Sequence, residues 1–220
     1  MDAIELQKKL LKKILVLSSE YIDAGISKGE GAKKYNDLAL EISGASYCAF
    51  NVFAEDGKLF KTVALSGIDE HILSAPKFFG FDLLEKEWGP DPIREKKLGS
   101  KTISEFHDLK ELTGDVLPAK VLSVIEKTFG LGQVAVVRTM RNNIPVGDFT
   151  LIFKGDGSLQ NREIMSLFAS QVGILIHRER VESALEQKID EMEKMNKFMV
   201  DRELKIIELK DKLEQLKKDN

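Results

Sequence analysis

Two spacings of hydrophobic residues divide the chain into helical ends and a middle of strands. Across residues 4–22 the apolar positions recur in steps of three and four, which predicts an amphipathic helix that ends near Gly25. A second helix is predicted from about residue 31 to 43, with Gly44 ending it. After Gly44 the helical period gives way to short runs rich in aromatic and β-branched residues, which predict strands.

Two antiparallel hairpins are predicted in the middle of the chain. Their strands span residues 47–53, 59–65, 133–140 and 146–153. The first turn, at 55–58, contains Asp-Gly, a strong hairpin signal, and the second, at 141–143, contains two asparagines that tolerate a positive φ. Pro145 has no N–H to donate to a sheet, so we expect it at the start of the last strand.

The segment between the hairpins is predicted to be largely irregular. Residues 68–99 form a long stretch rich in aromatic residues, and loops of this length in compact domains are usually functional lids or mobile segments. Residues 101–104 are predicted to add an edge strand, and residues 118–129 a helix that Gly130 ends.

The end of the chain follows a seven-residue repeat. From Leu185 onward apolar residues follow one another at steps of three, four or seven, like the a and d positions of a coiled coil. These seam residues are Met192, Met195, Met199, Ile206, Leu209, Leu213 and Leu216. Lys188 and Arg202 interrupt the d positions. A seam this narrow is marginal alone in water, so we expect a parallel homodimer to bury it.

The charge distribution supports this division. Charged residues make up 31% of the chain and its formal net charge is −3. Residues 178–220 alone carry 11 Lys/Arg and 12 Asp/Glu, which fits the solvated exterior of a coil. We therefore expect a globular domain at 1–177, including the N-terminal amphipathic helix, and a coiled-coil helix at 178–220.

Several functional classes are disfavoured by composition. Charges of both signs are interspersed, so the sequence offers no phosphate-binding surface and nucleic acid is not an expected partner. No apolar run has the length of a membrane span, and the N-terminus does not look like a signal peptide, so a cytoplasmic protein is expected.

The order of elements resembles the GAF family of sensor domains. The similarity is sharpest at residues 88–93 (WGPDPI) and 146–153 (VGDFTLIF), which look like segments of GAF domains attached to bacterial and archaeal sensor histidine kinases. Residues 195–210 (MNKFMVDRELKIIELK) are similar to the coiled-coil linkers of such kinases.

The resemblance implies an α+β fold with a central antiparallel sheet of about five or six strands flanked by helices, and a ligand cavity under the central loops. Helices from both ends of the domain would bundle with their copies in a dimer. A small ligand would then act through the coil on a downstream output domain, such as the histidine kinase of a two-component system. No kinase phosphoacceptor motif, ATP box, cyclase signature or helix-turn-helix is visible, so we interpret the chain as a fragment of a longer kinase. The alternatives are a free-standing sensor that lends its coil to another protein and a non-catalytic dimerisation spacer with a vestigial pocket.

Six residues are predicted to line the ligand pocket, because aromatic groups dominate small-molecule cavities and polar groups orient the ligand. They are Phe50, Trp88, His107, Arg138, Phe149 and Leu151. For the four apolar residues among them, plain packing in the core is an equally good explanation. Arg138 could pair with an anionic ligand; the alternative is an ion pair with a loop carboxylate such as Asp91. His107 is the candidate haem ligand, and a surface histidine is the alternative.

Covalent chemistry is not expected. Cys48 is the single cysteine, whereas GAF proteins that attach bilins have a Cys-His pair and those that reduce methionine sulfoxide use several cysteines. A buried structural thiol is therefore the interpretation. No catalytic triad, phosphate loop or metal-ligand cluster is visible, so we expect neither an enzyme, nor a metal site, nor a covalently bound cofactor. The identity of the ligand stays unknown.

Overall fold

The computed structural model describes residues 3–19, 25–27, 29–57, 59–67, 84, 87–89, 92–113 and 130–218. The chain divides into two compact units, Met1–His177 and Arg178–Asn220.

The first unit is built around one antiparallel sheet. Its described strands are β1 (Tyr47–Phe53), β2 (Phe60–Ser66), β3 (Glu87–Trp88), β4 (Ile103–Phe106), β5 (Leu131–Arg141) and β6 (Ile144–Lys154). The described helices of the chain are α1 (Ala3–Ser19), α2 (Gly29–Ser43), α3 (Pro92–Leu98), α4 (Leu109–Thr113) and α5 (Arg162–Lys218). The six strands pair in the order β3-β2-β1-β6-β5-β4. The expected antiparallel sheet flanked by helices is confirmed.

The turn chemistry explains both hairpins. Asn142 and Asn143 have φ angles of 50° and 63°, as a two-residue turn between right-twisted strands requires. In the other turn Gly57 takes the positive φ. Pro145 is the second residue of β6 and lies opposite Met140 at a register shift, where its missing N–H costs least.

The region between the hairpins is more regular than the sequence indicated. Residues 92–98 form helix α3 and residues 87–88 pair as β3, so the prediction of an irregular stretch is wrong there. Pro92 stands at the first position of α3, where a proline has no hydrogen bond to lose. The edge strand begins at Ile103 rather than at 101, and α4 follows it. The predicted helix at 118–129 lies outside the described residues.

One face of the sheet, called here the α5 face, packs against α1, α2 and the first part of α5. Its centre is aromatic: the rings of Phe50 and Phe149 stack with centroids 4.6 Å apart, and Phe168 of α5 lies 5.5 Å from Phe149. Gly173 brings α5 close to β5, because a Cβ there would lie 2.5 Å from the carbonyl oxygen of Met140. The α5 face is thus a tightly packed core.

The opposite face, called here the α3 face, packs against α3 and α4. Its apolar part contains Leu98 of α3 and two α4 residues, Leu109 and Leu112, against Val134 and Val136. Because β5 is covered on both faces, its central residues are buried whichever way they point.

The second unit is the remainder of helix α5. Its exposed ion pairs include Lys194–Asp190 at 2.6 Å and Lys212–Glu208 at 3.0 Å, each spaced i, i+4. The seam residues whose side chains are described are exposed on this single chain: Met192, Met195, Met199, Ile206 and Leu209. The side chains of Leu213 and Leu216 lie outside the described part, and the coiled coil itself stays a prediction. None of the helices in the described ranges combines the length and the apolar character needed to cross a membrane.

Candidate functional site

Polar and charged side chains form a row across the middle of the α3 face. Strand register sets the row: Asp148 of β6 lies opposite Asn51 of β1 on one side and Arg138 of β5 on the other. All three are buried. Three charged or amide side chains at the centre of a sheet are unusual, because burying such groups costs free energy unless partners satisfy them.

Asp148 is the centre of this cluster and is fully buried. Its Oδ2 accepts a hydrogen bond from Arg94 Nη2 at 2.6 Å. Its Oδ1 accepts from Asn51 Nδ2 at 2.7 Å and from Thr150 Oγ1 at 3.3 Å. Asn51 is oriented in turn by Thr62, whose hydroxyl donates to Asn51 Oδ1 at 2.8 Å. The carboxylate is therefore held on both oxygens by fixed groups of the sheet and by one cation from α3.

The guanidinium of Arg94 lies between this carboxylate and an aromatic surface. Its central carbon is 5.1 Å from the ring centroid of Phe60, within the range of a cation–π contact. Phe60 stacks on Trp88 with centroids 6.3 Å apart. A second carboxylate is close, since Arg94 Nη1 lies 3.3 Å from Glu95 Oε1. A carboxylate on one edge and a ring on one face is a favourable setting for a planar cation.

Arg138 is held by different groups. Its Nη1 donates to the carbonyl oxygen of Gly99 at 2.7 Å, and its Nη2 pairs with the carboxylate of Glu95. Nε of Arg138 is buried and has no hydrogen-bond partner among the described residues. Glu95 therefore contacts both arginines, and the two cations of the cluster are balanced by the carboxylates of Glu95 and Asp148.

The six predicted pocket residues are not brought together on one face. Trp88 and Arg138 lie on the α3 face with the polar cluster. Phe50, Phe149 and Leu151 are fully buried in the aromatic core of the α5 face. His107 is exposed just after β4, and its backbone N–H donates to Glu111. Contact of any of these residues with a ligand stays a prediction. The carboxylate partner of Arg138 is Glu95, and Asp91 lies outside the described residues.

Sequence reasoning missed the residues that form the centre of the cluster. Asp148 gave a usable signal, because an ionisable residue interrupts an otherwise apolar strand, VGDFTLIF. Asn51 interrupts the apolar strand YCAFNVF in the same way. Arg94 gave no such signal in the sequence, since it lies in an ordinary charged segment 54 residues from its partner Asp148.

Cys48 lies on the α5 face and is buried. Burial raises the pKa of its thiol well above the usual value, and the negative charges of Asp148 and Asp37 raise it further. The thiol is therefore protonated at neutral pH and a poor nucleophile. Within the described ranges no three His, Cys, Asp or Glu side chains converge as a metal site would need.

A separate groove lies on the surface between α1 and α2. Its volume is about 470 Å³ and it is lined by four lysines, two acidic residues and three apolar side chains: Lys9, Lys12, Lys13, Lys34, Asp37, Glu41, Val16, Leu17 and Leu38. Lys13 and Glu41 pair across it. None of the described residues that line the groove is a buried polar group that would orient a ligand.

Comparison with known proteins identifies the architecture. No protein-family model and no curated protein matches the sequence. Among solved structures, the GAF domain of an Acinetobacter phosphoenolpyruvate-protein phosphotransferase aligns over 82% of this chain and 97% of its own, with a TM-score of 0.53 and 8% identity. The chain has a GAF-like fold. Identity this low supports the fold alone.

Bacteriophytochrome structures from R. palustris are similar to the same degree. The chromophore-binding domain of one aligns over 82% of this chain with a TM-score of 0.55 and 15% identity. A longer bacteriophytochrome structure aligns over 86% of this chain with a TM-score of 0.54 and 15% identity. This chain spans 64% of the former and 41% of the latter.

Proposed function

We propose that the chain is the sensory module of a signalling protein, in which a small molecule binds on the α3 face of the sheet. The observation that carries the proposal is the buried ionic cluster around Asp148 on that face of a GAF-like fold. Clusters of ionisable groups in an apolar core reduce stability relative to apolar packing, and functional sites are where proteins retain them. The chain itself is proposed to have no catalytic activity.

Strand β5 offers a route from the site to helix α5. Arg138 points toward α3 on one face of the strand. Two residues later Met140 stands at the register shift, and its backbone lies against Gly173 of α5. A shift of β5 would therefore displace α5 directly, because the two backbones are in contact at Gly173 with no flexible side chain between them. A ligand that prefers one position of β5 would thereby shift the population of α5 positions.

Helix α5 would pass this change to an output domain through a parallel homodimer. In the second unit its apolar seam is exposed, and exposed seams of this kind are contact surfaces. Counting back from Lys188 in steps of seven residues reaches Val181, Ile174 and Leu167, and all three are exposed. The output domain is proposed to be a histidine kinase in a longer chain, on the similarity of residues 195–210 to kinase linkers, and the module is proposed to be cytoplasmic.

A second candidate is a dimerisation spacer whose site has lost its ligand. One observation favours it: the charges of the cluster already cancel, with Arg94 and Arg138 against Glu95 and Asp148. A spacer needs the helices and the fold but no ligand.

Thermal melting of the full chain against a library of metabolites separates the two candidates. A ligand at one hundred times its dissociation constant stabilises the folded state by about 2.7 kcal/mol, or roughly 5–10 °C for a domain of this size. The sensory proposal expects such a shift in the wild type and its loss in the charge-neutral double variant Arg94→Gln/Asp148→Asn. If the chain is a spacer, no compound should raise the melting temperature, and sedimentation should still show a dimer.

A further inference from the structure

We propose that the ligand of the α3 face is an organic cation with a planar guanidinium or amidinium group, and that Arg94 occupies its place as a tethered substitute. This inference rests on the proposed function and specifies the ligand class.

The cation that pairs with Asp148 comes from helix α3 and not from the sheet. Arg138 stands directly opposite Asp148 in the sheet register, so the sheet already carries a cation beside the carboxylate. Arg138 nevertheless bonds Gly99 and Glu95, and Asp148 is paired with Arg94. The carboxylate and its amide and hydroxyl neighbours are fixed on strands, whereas their cation comes from a separate seven-residue helix.

The Arg94 guanidinium is surrounded by two carboxylates and an aromatic ring. It contacts one carboxylate at 2.6 Å, faces the Phe60 ring at 5.1 Å, and lies 3.3 Å from a second carboxylate, that of Glu95. These groups recognise a flat cation by charge, by hydrogen bonds in its plane and by stacking on its face. An anionic ligand at the same position would meet two carboxylates, and an uncharged one would leave Asp148 without its counter-ion.

Displacement of Arg94 from Asp148 would affect two elements of the fold, α3 and β5. Arg94 is the residue through which α3 reaches the buried carboxylate, and its neighbour Glu95 pairs with Arg138 of β5. A free cation that takes the place of Arg94 would release α3 from Asp148 and alter the ion pair between Glu95 and Arg138. The same event would thus act on β5, the strand that lies against α5 at Gly173.

The test is calorimetric titration of the full chain with agmatine, which has a guanidinium group on a four-carbon amine. Putrescine, which carries a second amine in place of that group, is the matched control. We expect agmatine to bind the wild type, and to bind Arg94→Gln at least about tenfold more tightly because the tethered competitor is gone. We expect binding at least about tenfold weaker for putrescine, and none by the neutral double variant Arg94→Gln/Asp148→Asn. Trp88 fluorescence gives an independent readout beside the site.

Arg94→Lys covers the case in which Arg94→Gln does not fold, because it keeps the positive charge without the planar fork. Agmatine is again expected to bind this variant more tightly than the wild type. Equal affinity for the wild type and the Arg94 variants, or binding that persists in the double variant, would overturn the inference. If agmatine has no effect while another compound class raises the wild-type melting temperature, the ligand class is wrong and the sensory proposal stands. If no compound acts, both fail.

Discussion

Replacing Arg94 by alanine removes the only described cation that contacts Asp148. The carboxylate would keep its hydrogen bonds from Asn51 and Thr150 but would remain buried with an uncompensated charge. The aspartate side chain is 0% exposed and the arginine side chain 9% exposed, so solvent screens the pair little. We therefore expect this substitution to destabilise the first unit.

The expected loss follows from the geometry. Breaking a buried ion pair by removing one partner costs about 3–5 kcal/mol. The lost contact with the Phe60 ring adds about 0.5–2 kcal/mol, whereas the exposed carboxylate of Glu95 adds little. We expect a total near 5 kcal/mol, with recovery to within about 1.5 kcal/mol of the wild type in Arg94→Gln/Asp148→Asn, where no buried charge is left unpaired.

Urea denaturation measures this directly, followed both by circular dichroism and by fluorescence of the single tryptophan, Trp88, which stacks on Phe60. Lys61→Ala is the matched control, because the Lys61–Glu87 pair at 2.9 Å is half exposed and should contribute less than about 1 kcal/mol. A loss below about 1 kcal/mol for Arg94→Ala at an unchanged denaturant slope would refute the description of a buried, unscreened pair.

Three further predictions concern the helices and the thiol. Gly173→Ala should lower the free energy of unfolding by at least about 2 kcal/mol, because the added Cβ would lie 2.5 Å from a backbone carbonyl oxygen. Gly89→Ala is the control: nothing lies within 4 Å of its Cβ position, so the same denaturation assay should show no change. Met199→Asp should raise the dimer dissociation constant at least about tenfold in sedimentation equilibrium, and Lys197→Asp on the outer face should not; an unchanged dimer in the first would contradict the seam. Native Cys48, with its raised pKa, should react with iodoacetamide far more slowly at pH 8 than the unfolded chain. Because the folded state favours the neutral thiol, Cys48 should lower stability as the pH rises above about 8.5, and Cys48→Ala should make the fall of stability with pH less steep.

Local rules were enough to predict most of the sheet. Runs rich in aromatic and β-branched residues and the turn signals at Gly57 and Asn142-Asn143 predicted both hairpins, because strand propensity and turn conformation depend on neighbours in sequence. Helix α3 was missed since Pro90 and Pro92 indicate a loop, although a proline is also well placed at the first position of a helix.

The site was less predictable for a physical reason. Alternation along a strand shows which residues share a face, and Arg138 shares one with Val134 and Val136. It does not show which face meets the loops, and an aromatic residue such as Phe149 suits a dry core and a ligand pocket equally. The ion pair of Arg94 with Asp148 joins an irregular-looking segment to a strand, and no local pattern encodes such a long-range contact.

Hydrogen–deuterium exchange of the full chain, with and without the compound that most raises its melting temperature, shows whether a ligand on the α3 face acts on α5 through β5. We expect slower exchange in β5 and β6 around Arg138 and Asp148, a change in exchange of α3 around Arg94, and an altered rate in the first part of α5 near Gly173. Changes confined to α1 and α2, around the lysine-lined groove, would contradict this expectation.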